Sequence, residues 1–167
     1  MDQRLTWFNA LPATDAERAL SACCASPSWA RAVAAFRPYA DQQALLRTAS
    51  DQLAGLPWPD VAQALAAHPR IGQRADGAER DAVWSRREQA RVVDSDEAVR
   101  SALREVNHAY EDRFGHLFLI FANGRSSEEI LAAARSRLGN DSATEREVVR
   151  AELTRITVLR LTRLLTE

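Results

Sequence analysis

The sequence predicts an all-α fold: one single-domain bundle of roughly eight helices over residues 1–167, with no significant sheet. Three observations carry this reading. Apolar residues recur at helical spacing along most of the chain. No stretch alternates apolar and polar residues as a half-buried strand would. Prolines and capping residues fall at intervals that start and stop helices. A chain of 167 residues, 46% hydrophobic and 27% charged, also has ordinary globular composition and enough length for a core.

The elements follow in order. Thr14-Asp15-Ala16-Glu17 reads as an N-cap with its returning glutamate, opening a helix toward Cys24. Ser26-Pro27 starts a second helix that ends before Pro38, and a third covers 41–54. Pro57 and Pro59 bracket Trp58 ahead of a short helix over 60–67, which Pro69 terminates. The polar stretch 73–77 is a loop, and a helix follows through about Val92. Asp94-Ser95-Asp96 caps a helix to Phe114 with Val99, Leu103, Val106 and Tyr110 on one stripe. Residues 117–121 form the only short apolar run that an extended conformation would suit. Ser126-Ser127-Glu128-Glu129 opens a helix ending near Gly139, and Asn140-Asp141-Ser142 precedes the long last one. There is no internal repeat, low-complexity tract or linker.

Composition excludes several function classes. A net charge of −1 offers no electrostatic reason to bind nucleic acid or an anionic membrane. No stretch reaches membrane-spanning length, and the first residues lack the apolar run of a signal peptide. Cys23 and Cys24 are adjacent, a poor geometry for a bridge, which points to a reduced cytoplasmic interior. All 22 basic residues are arginine, and with the abundant alanine this suggests a GC-rich bacterial gene. Without lysine there is no Schiff base of the pyridoxal-phosphate or imine-decarboxylase kind, and no Walker-type phosphate loop. The three histidines lack ligand spacing and the cysteine pair has no second pair, so no metal site is expected.

The remaining chemistry rests on few residues. His68 continues the apolar stripe of Val61 and Leu65 at a helix end, where the helix dipole favours the imidazolium and burial opposes it. It reads either as a capping or core histidine or as a reactive one. His108 lies opposite its helix's apolar stripe and is expected in solvent, while His116 follows Phe114-Gly115 in a turn. Ser85, Glu88 and Gln89 are spaced i, i+3 and i+4, which puts them on one helical face. A capping box, a surface Glu88–Arg91 pair and a polar site all fit that spacing. Arg160 sits mid-stripe on the last helix, four residues after Ile156 and four before Leu164. A guanidinium aimed into a core needs a partner, either an internal carboxylate or that of a substrate.

Taken together, four segments resemble the OHCU decarboxylase family (2-oxo-4-hydroxy-4-carboxy-5-ureidoimidazoline decarboxylase) in order and spacing. They are Ala67-His68-Pro69-Arg70-Ile71-Gly72, Ser85-Arg86-Arg87-Glu88-Gln89, Phe114-Gly115 with Phe118-Leu119-Ile120, and Ile156-Thr157-Val158-Leu159-Arg160-Leu161. Phe8-Asn9 and Arg137-Leu138-Gly139-Asn140 extend the likeness over nearly the whole chain. The resemblance implies His68 as the catalytic histidine and Glu88 as its acidic partner. Ser85 and Gln89 would hydrogen-bond ureido and ring groups, and Pro69 would line the pocket. Arg160 would hold an anionic or carbonyl group, and backbone groups around Phe118 and Ile120 would complete the cradle. It further implies a helical homodimer that releases carbon dioxide from the ureidoimidazoline carboxylate to give S-allantoin, the last step of urate-to-allantoin catabolism, with no cofactor. Two positions depart from the family pattern. Arg91 stands where many members have glycine, and His116-Leu117 where plant and animal members have an aromatic residue and proline.

Two other classes compete. A helical interaction module would place Ser85 and Glu88 in solvent and pair Arg160 internally. A cyclic-amide hydrolase using His68 and Glu88 would need a positioned water and release no carbon dioxide.

Overall fold

A computed structural model describes residues 2–73, 77–93 and 95–167, and among them are ten helices and no strand. Two helices beyond the expected eight have separate causes. The first is α1 (Gln3–Ala10), which the sequence reading left unassigned: the Asp2 carboxylate accepts from the amides of Arg4 and Leu5 at 3.0 and 3.1 Å and starts it. The second arises because the helix expected through Val92 breaks at Gln89, giving α6 (Arg80–Glu88) and α7 (Ala90–Val93).

The other boundaries follow elementary rules. Helix α2 (Ala13–Cys23) begins one residue before Thr14, with Pro12 at the cap position and no side-chain cap, so the expected Thr14 cap is not made. Asp15 instead falls in the first turn, where an acidic side chain suits the helix dipole. Ser26 caps α3 (Pro27–Ala35) through Trp29 N–H, and Asp41 caps α4 (Gln42–Ala54). Helix α5 (Trp58–Leu65) lies two residues upstream of the expected 60–67. Pro59 is tolerated in a first turn, and Pro69 forces the chain before it out of helix. Asp96 caps α8 (Glu97–Phe114), and Gly115 ends it at φ +76°, the left-handed conformation glycine adopts without cost. Ser126 and Glu129 form a capping box on α9 (Ser127–Arg137), ahead of α10 (Ser142–Thr166). Arg74, Ala75 and Asp76 of the expected loop, and Asp94 of the expected cap, lie outside the described residues.

The chain divides into two compact units. The first comprises Met1–Ala64 and Thr154–Glu167. Its core is drawn from helical stripes such as Ala16, Leu20 and Cys23 on α2 and Leu45, Ala49 and Leu53 on α4. Buried Trp29 donates its indole N–H to Ala49 C=O at 3.0 Å. The Arg37 guanidinium donates to Phe8 C=O at 2.8 Å and Leu11 C=O at 2.7 Å, closing the end of α1 with a cation.

Cys23 and Cys24 are both buried free thiols. Burial pushes Cys24 up to about 11 from an ordinary value of 9.0, although Ser26, Thr157 and Arg160 oppose the rise. The folded thiol therefore holds its proton where the unfolded one has lost it. Its contribution is full below pH 9 and is lost as pH rises toward 11, on the order of 3 kcal/mol in all. Urea midpoints measured across this window are expected to fall, and Cys24→Ala to flatten the decline; identical slopes in the two proteins would disprove the assignment.

The second unit is Leu65–Leu153. Ile71, Leu103, Val106, Tyr110, Phe118, Ile120 and Ile130 lie in one core cluster, so α8, α9 and the chain over 117–121 share a single apolar centre. The 117–121 run has no regular secondary structure, and side chains take some of its backbone groups. Arg137 donates to Leu119 C=O at 2.8 Å, and Phe121 N–H donates to the Glu152 carboxylate at 2.9 Å. Arg137 also pairs with fully buried Glu145, which accepts the Tyr110 hydroxyl at 2.6 Å and Asn140 Nδ2 at 3.0 Å.

Candidate active site

The site is built from two short pieces of the second unit. The first is the end of α5. Its last turn closes with His68 N–H donating to Leu65 C=O at 3.1 Å, and a turn follows in which Gln73 N–H donates to Arg70 C=O at 2.9 Å. His68 and Pro69 are half-buried, Arg70 is exposed and Ile71 is buried in the core. Gly72 sits at φ +88°, a conformation that favours glycine.

The second piece is α6. Ser85, Glu88 and Gln89 are only 5%, 8% and 8% exposed, so the predicted common face is turned inward. Ser85 lies mid-helix, which removes the capping-box reading, and burial of Glu88 removes the surface-pair reading. Arg91 is exposed and donates to Gly124 C=O at 2.6 Å. The interaction-module reading required Ser85 and Glu88 in solvent, and both are buried.

Gln89 joins the two pieces. Its Oε1 accepts Gly72 N–H at 3.0 Å. That bond decides which way the amide points: the carbonyl faces Gly72, and the two N–H donors face elsewhere. On the opposite edge, buried Asn107 of α8 donates from Nδ2 to Ile71 C=O at 2.8 Å. Glu111, one turn further along α8, accepts both Arg70 Nε at 2.6 Å and Nη2 at 3.1 Å. Arg70, Ile71, Gly72 and Gln73 face Arg104, Asn107, His108 and Glu111 across a groove of about 420 Å³.

The remaining candidates divide. Phe118 and Ile120 are 1% and 3% exposed, with side chains in the core rather than at a surface. The Arg137 guanidinium lies 4.5 Å from the Phe118 ring centre. Arg160, in the first unit, is 4% exposed as its stripe position predicts, and donates to Ala22 C=O at 3.3 Å. His108 is exposed, as expected, 3.5 Å from Asp112. His116 is half-buried among the rings of Tyr110 and Phe114. Among the described residues there is no cluster of three metal-ligating side chains and no helix long and apolar enough to cross a membrane.

The sequence does not single out Asn107, Glu145 or Glu152, and Arg137 enters there only within the Arg137-Leu138-Gly139-Asn140 segment. A signal for two of them was present. Asn107 falls four after Leu103 and three before Tyr110, and Arg137 falls three after Ala134, each a polar residue on an apolar stripe like Arg160.

A helical fold that buries a hydroxyl, a carboxylate and an amide along one helix, and ties its end to a turn bearing a half-buried imidazole, is equipped as an acid–base enzyme for a small molecule. A family model described as OHCU decarboxylase matches residues 9–162, and the chain belongs to this family of carboxy-lyases. It is 32% identical over 139 residues to the 2-oxo-4-hydroxy-4-carboxy-5-ureidoimidazoline decarboxylase of Amia calva, covering 81% of this chain and 78% of that one. It is 30% identical over 151 residues to the uric acid degradation bifunctional protein TTL of Arabidopsis thaliana; the match covers 87% of this chain but only 46% of the plant protein. A crystal structure of OHCU decarboxylase in the presence of (S)-allantoin superposes with a TM-score of 0.77 at 28% identity, covering 88% of this chain and 96% of that one. An (S)-allantoin synthase structure shares the fold, with a TM-score of 0.73 at 16% identity over 96% of this chain and 53% of that one.

Proposed function

We propose that this protein decarboxylates 2-oxo-4-hydroxy-4-carboxy-5-ureidoimidazoline to S-allantoin, without a cofactor, as one domain over residues 1–167 acting as a cytoplasmic bacterial homodimer. The observation that carries the reading is the inward face of α6, where Ser85, Glu88 and Gln89 are buried together and Gln89 is bonded to the turn that follows His68. Three polar side chains are not buried on one face of a short helix unless they have polar work to do there.

The substrate carries a carboxylate and a hydroxyl on one ring carbon, next to an imine. When the bond to the carboxylate breaks and carbon dioxide leaves, the electron pair flows into the imine, so the substrate is its own electron sink. His68, oriented by Glu88, handles the proton of the ring hydroxyl or a nearby nitrogen as the bond breaks. The enediol-like intermediate is then protonated on one face. Gln89 offers N–H donors to an acceptor on the substrate, and Ser85 hydrogen-bonds the ureido or ring group. Pro69 lines the pocket, and Arg160 holds an anionic or carbonyl group. Arg137 and Glu152 take Leu119 C=O and Phe121 N–H, and backbone groups around Phe118 and Ile120 complete the cradle. The adjacent free thiols support a reducing interior, and a net charge of −1 argues against nucleic-acid or membrane partners.

Urate oxidised by urate oxidase and then opened by hydroxyisourate hydrolase supplies the substrate. Circular dichroism is expected to show rapid growth of S-allantoin when this protein is added. A slow racemic course equal to the blank would overturn the reading, and product formation without carbon dioxide would transfer it to the hydrolase class.

A further inference from the structure

We propose that Asn107 is a positioning residue for His68, acting through a single peptide group that α8 and the end of α6 grip from opposite edges. The inference rests on the assignment of His68 to the reaction. Ile71 C=O and Gly72 N–H belong to one peptide plane and, in a trans peptide, point in opposite directions. Asn107 Nδ2 donates to that carbonyl at 2.8 Å, and Gln89 Oε1 accepts from that N–H at 3.0 Å. The plane is therefore fixed in rotation as well as in place.

Few dihedral angles separate this plane from His68. Upstream, His68 N–H is bonded to Leu65 C=O at 3.1 Å, anchoring it to the last turn of α5. Pro69 has a fixed φ and restricts His68 before it. The imidazole thus hangs between two anchors on a stiff segment, and Asn107 supplies one side of the second anchor. At 5% exposure Asn107 works out of water, where a made hydrogen bond is retained and an unmade one is costly. Glu111 adds a strap through Arg70, but that pair is half in solvent and contributes less. Asn107 touches neither substrate nor reacting atoms in this scheme; it sets where the imidazole stands.

The test is Asn107→Leu, which keeps the volume and removes the donor, compared with wild type in steady-state kinetics and in NMR of the ligand-free protein. Misplacing a catalytic group by about an ångström costs up to about a hundredfold, so kcat is expected to fall roughly ten- to a hundredfold with KM within about threefold. Gly72 amide exchange is expected to quicken at least about threefold, the value of one hydrogen bond, and the His68 imidazole resonance to shift or broaden. An unchanged Gly72 exchange rate and His68 resonance overturn the proposal. So does a loss of activity that only tracks the loss of folded protein. If Asn107→Leu does not fold, Asn107→Ser is read by the same signals. The NMR signals need no turnover. An inactive wild type would therefore refute the decarboxylase reading, while exchange and resonance still decide whether Asn107 positions His68.

Discussion

His68→Asn is expected to lower kcat for decarboxylation by about 10²–10⁴-fold, the usual contribution of a positioned acid–base group. Asparagine preserves polarity and approximate size, and the backbone bond from residue 68 to Leu65 C=O does not involve the side chain, so the turn is expected to keep its shape. The loss is expected in kcat, with KM little changed, because the imidazole acts as the bond breaks rather than in holding the ground state. Glu88→Gln tests the pair from the other side. It keeps a buried hydrogen-bonding group at an 8%-exposed position and removes only the charge. Near-full decarboxylation by His68→Asn with loss of product handedness alone would show that His68 directs reprotonation and leaves bond cleavage to another group. Circular dichroism and carbon dioxide release, followed in one reaction, separate these outcomes.

Arg137→Met is expected to lower stability by about 3–5 kcal/mol, the cost of stranding one member of a buried ion pair. Arg137 is 8% exposed, and its partner Glu145 is completely buried. The guanidinium donates to Glu145 Oε1 from Nε at 2.8 Å and Nη2 at 2.5 Å, and to Leu119 C=O at 2.8 Å. Without it, Glu145 retains the Tyr110 hydroxyl and the Asn140 amide but no positive charge. Burial, and after it the hydrogen bond to the same carboxylate, pushes Tyr110 well above the ordinary phenol range, so the hydroxyl stays a donor throughout the working pH range. Against a typical total of 5–15 kcal/mol the expected loss is large, and it is readable as a lowered urea midpoint. Arg137→Met with Glu145→Leu is expected to recover much of it, since an apolar replacement of both partners leaves no orphaned charge. A single variant within about 1 kcal/mol of wild type would mean that Tyr110 and Asn140 satisfy Glu145 by themselves. Activity is expected to fall with stability, because Leu119 lies between the two residues whose backbone groups are assigned to the cradle.

Much of this was legible in the chain. Caps at Ser26, Asp41, Asp96 and Ser126 stand where expected because capping is decided within three or four residues. Arg160 is buried because the helical period of its neighbours dictates its azimuth. Helix α1 escaped notice because its eight residues bury only Leu5 and Phe8, too few to mark a stripe. The break at Gln89 was also unreadable, since Arg86-Arg87-Glu88-Gln89-Ala90 has no glycine or proline to announce it.

By itself, the sequence determined the helical class, the common face of Ser85, Glu88 and Gln89, and the four segments that place the chain in its family. These depend on local periodicity and on residue identity in order along the chain. That this face turns inward was decided by the fold. Only the tertiary structure decided that Gln89 and Asn107 meet across one peptide, and that Arg137 rather than a strand partner holds the 117–121 run. Those bonds join residues 17, 36 and 18 positions apart, beyond the reach of any helical period. Their partners are backbone groups, which every residue carries, so no side-chain pattern in the sequence could single them out.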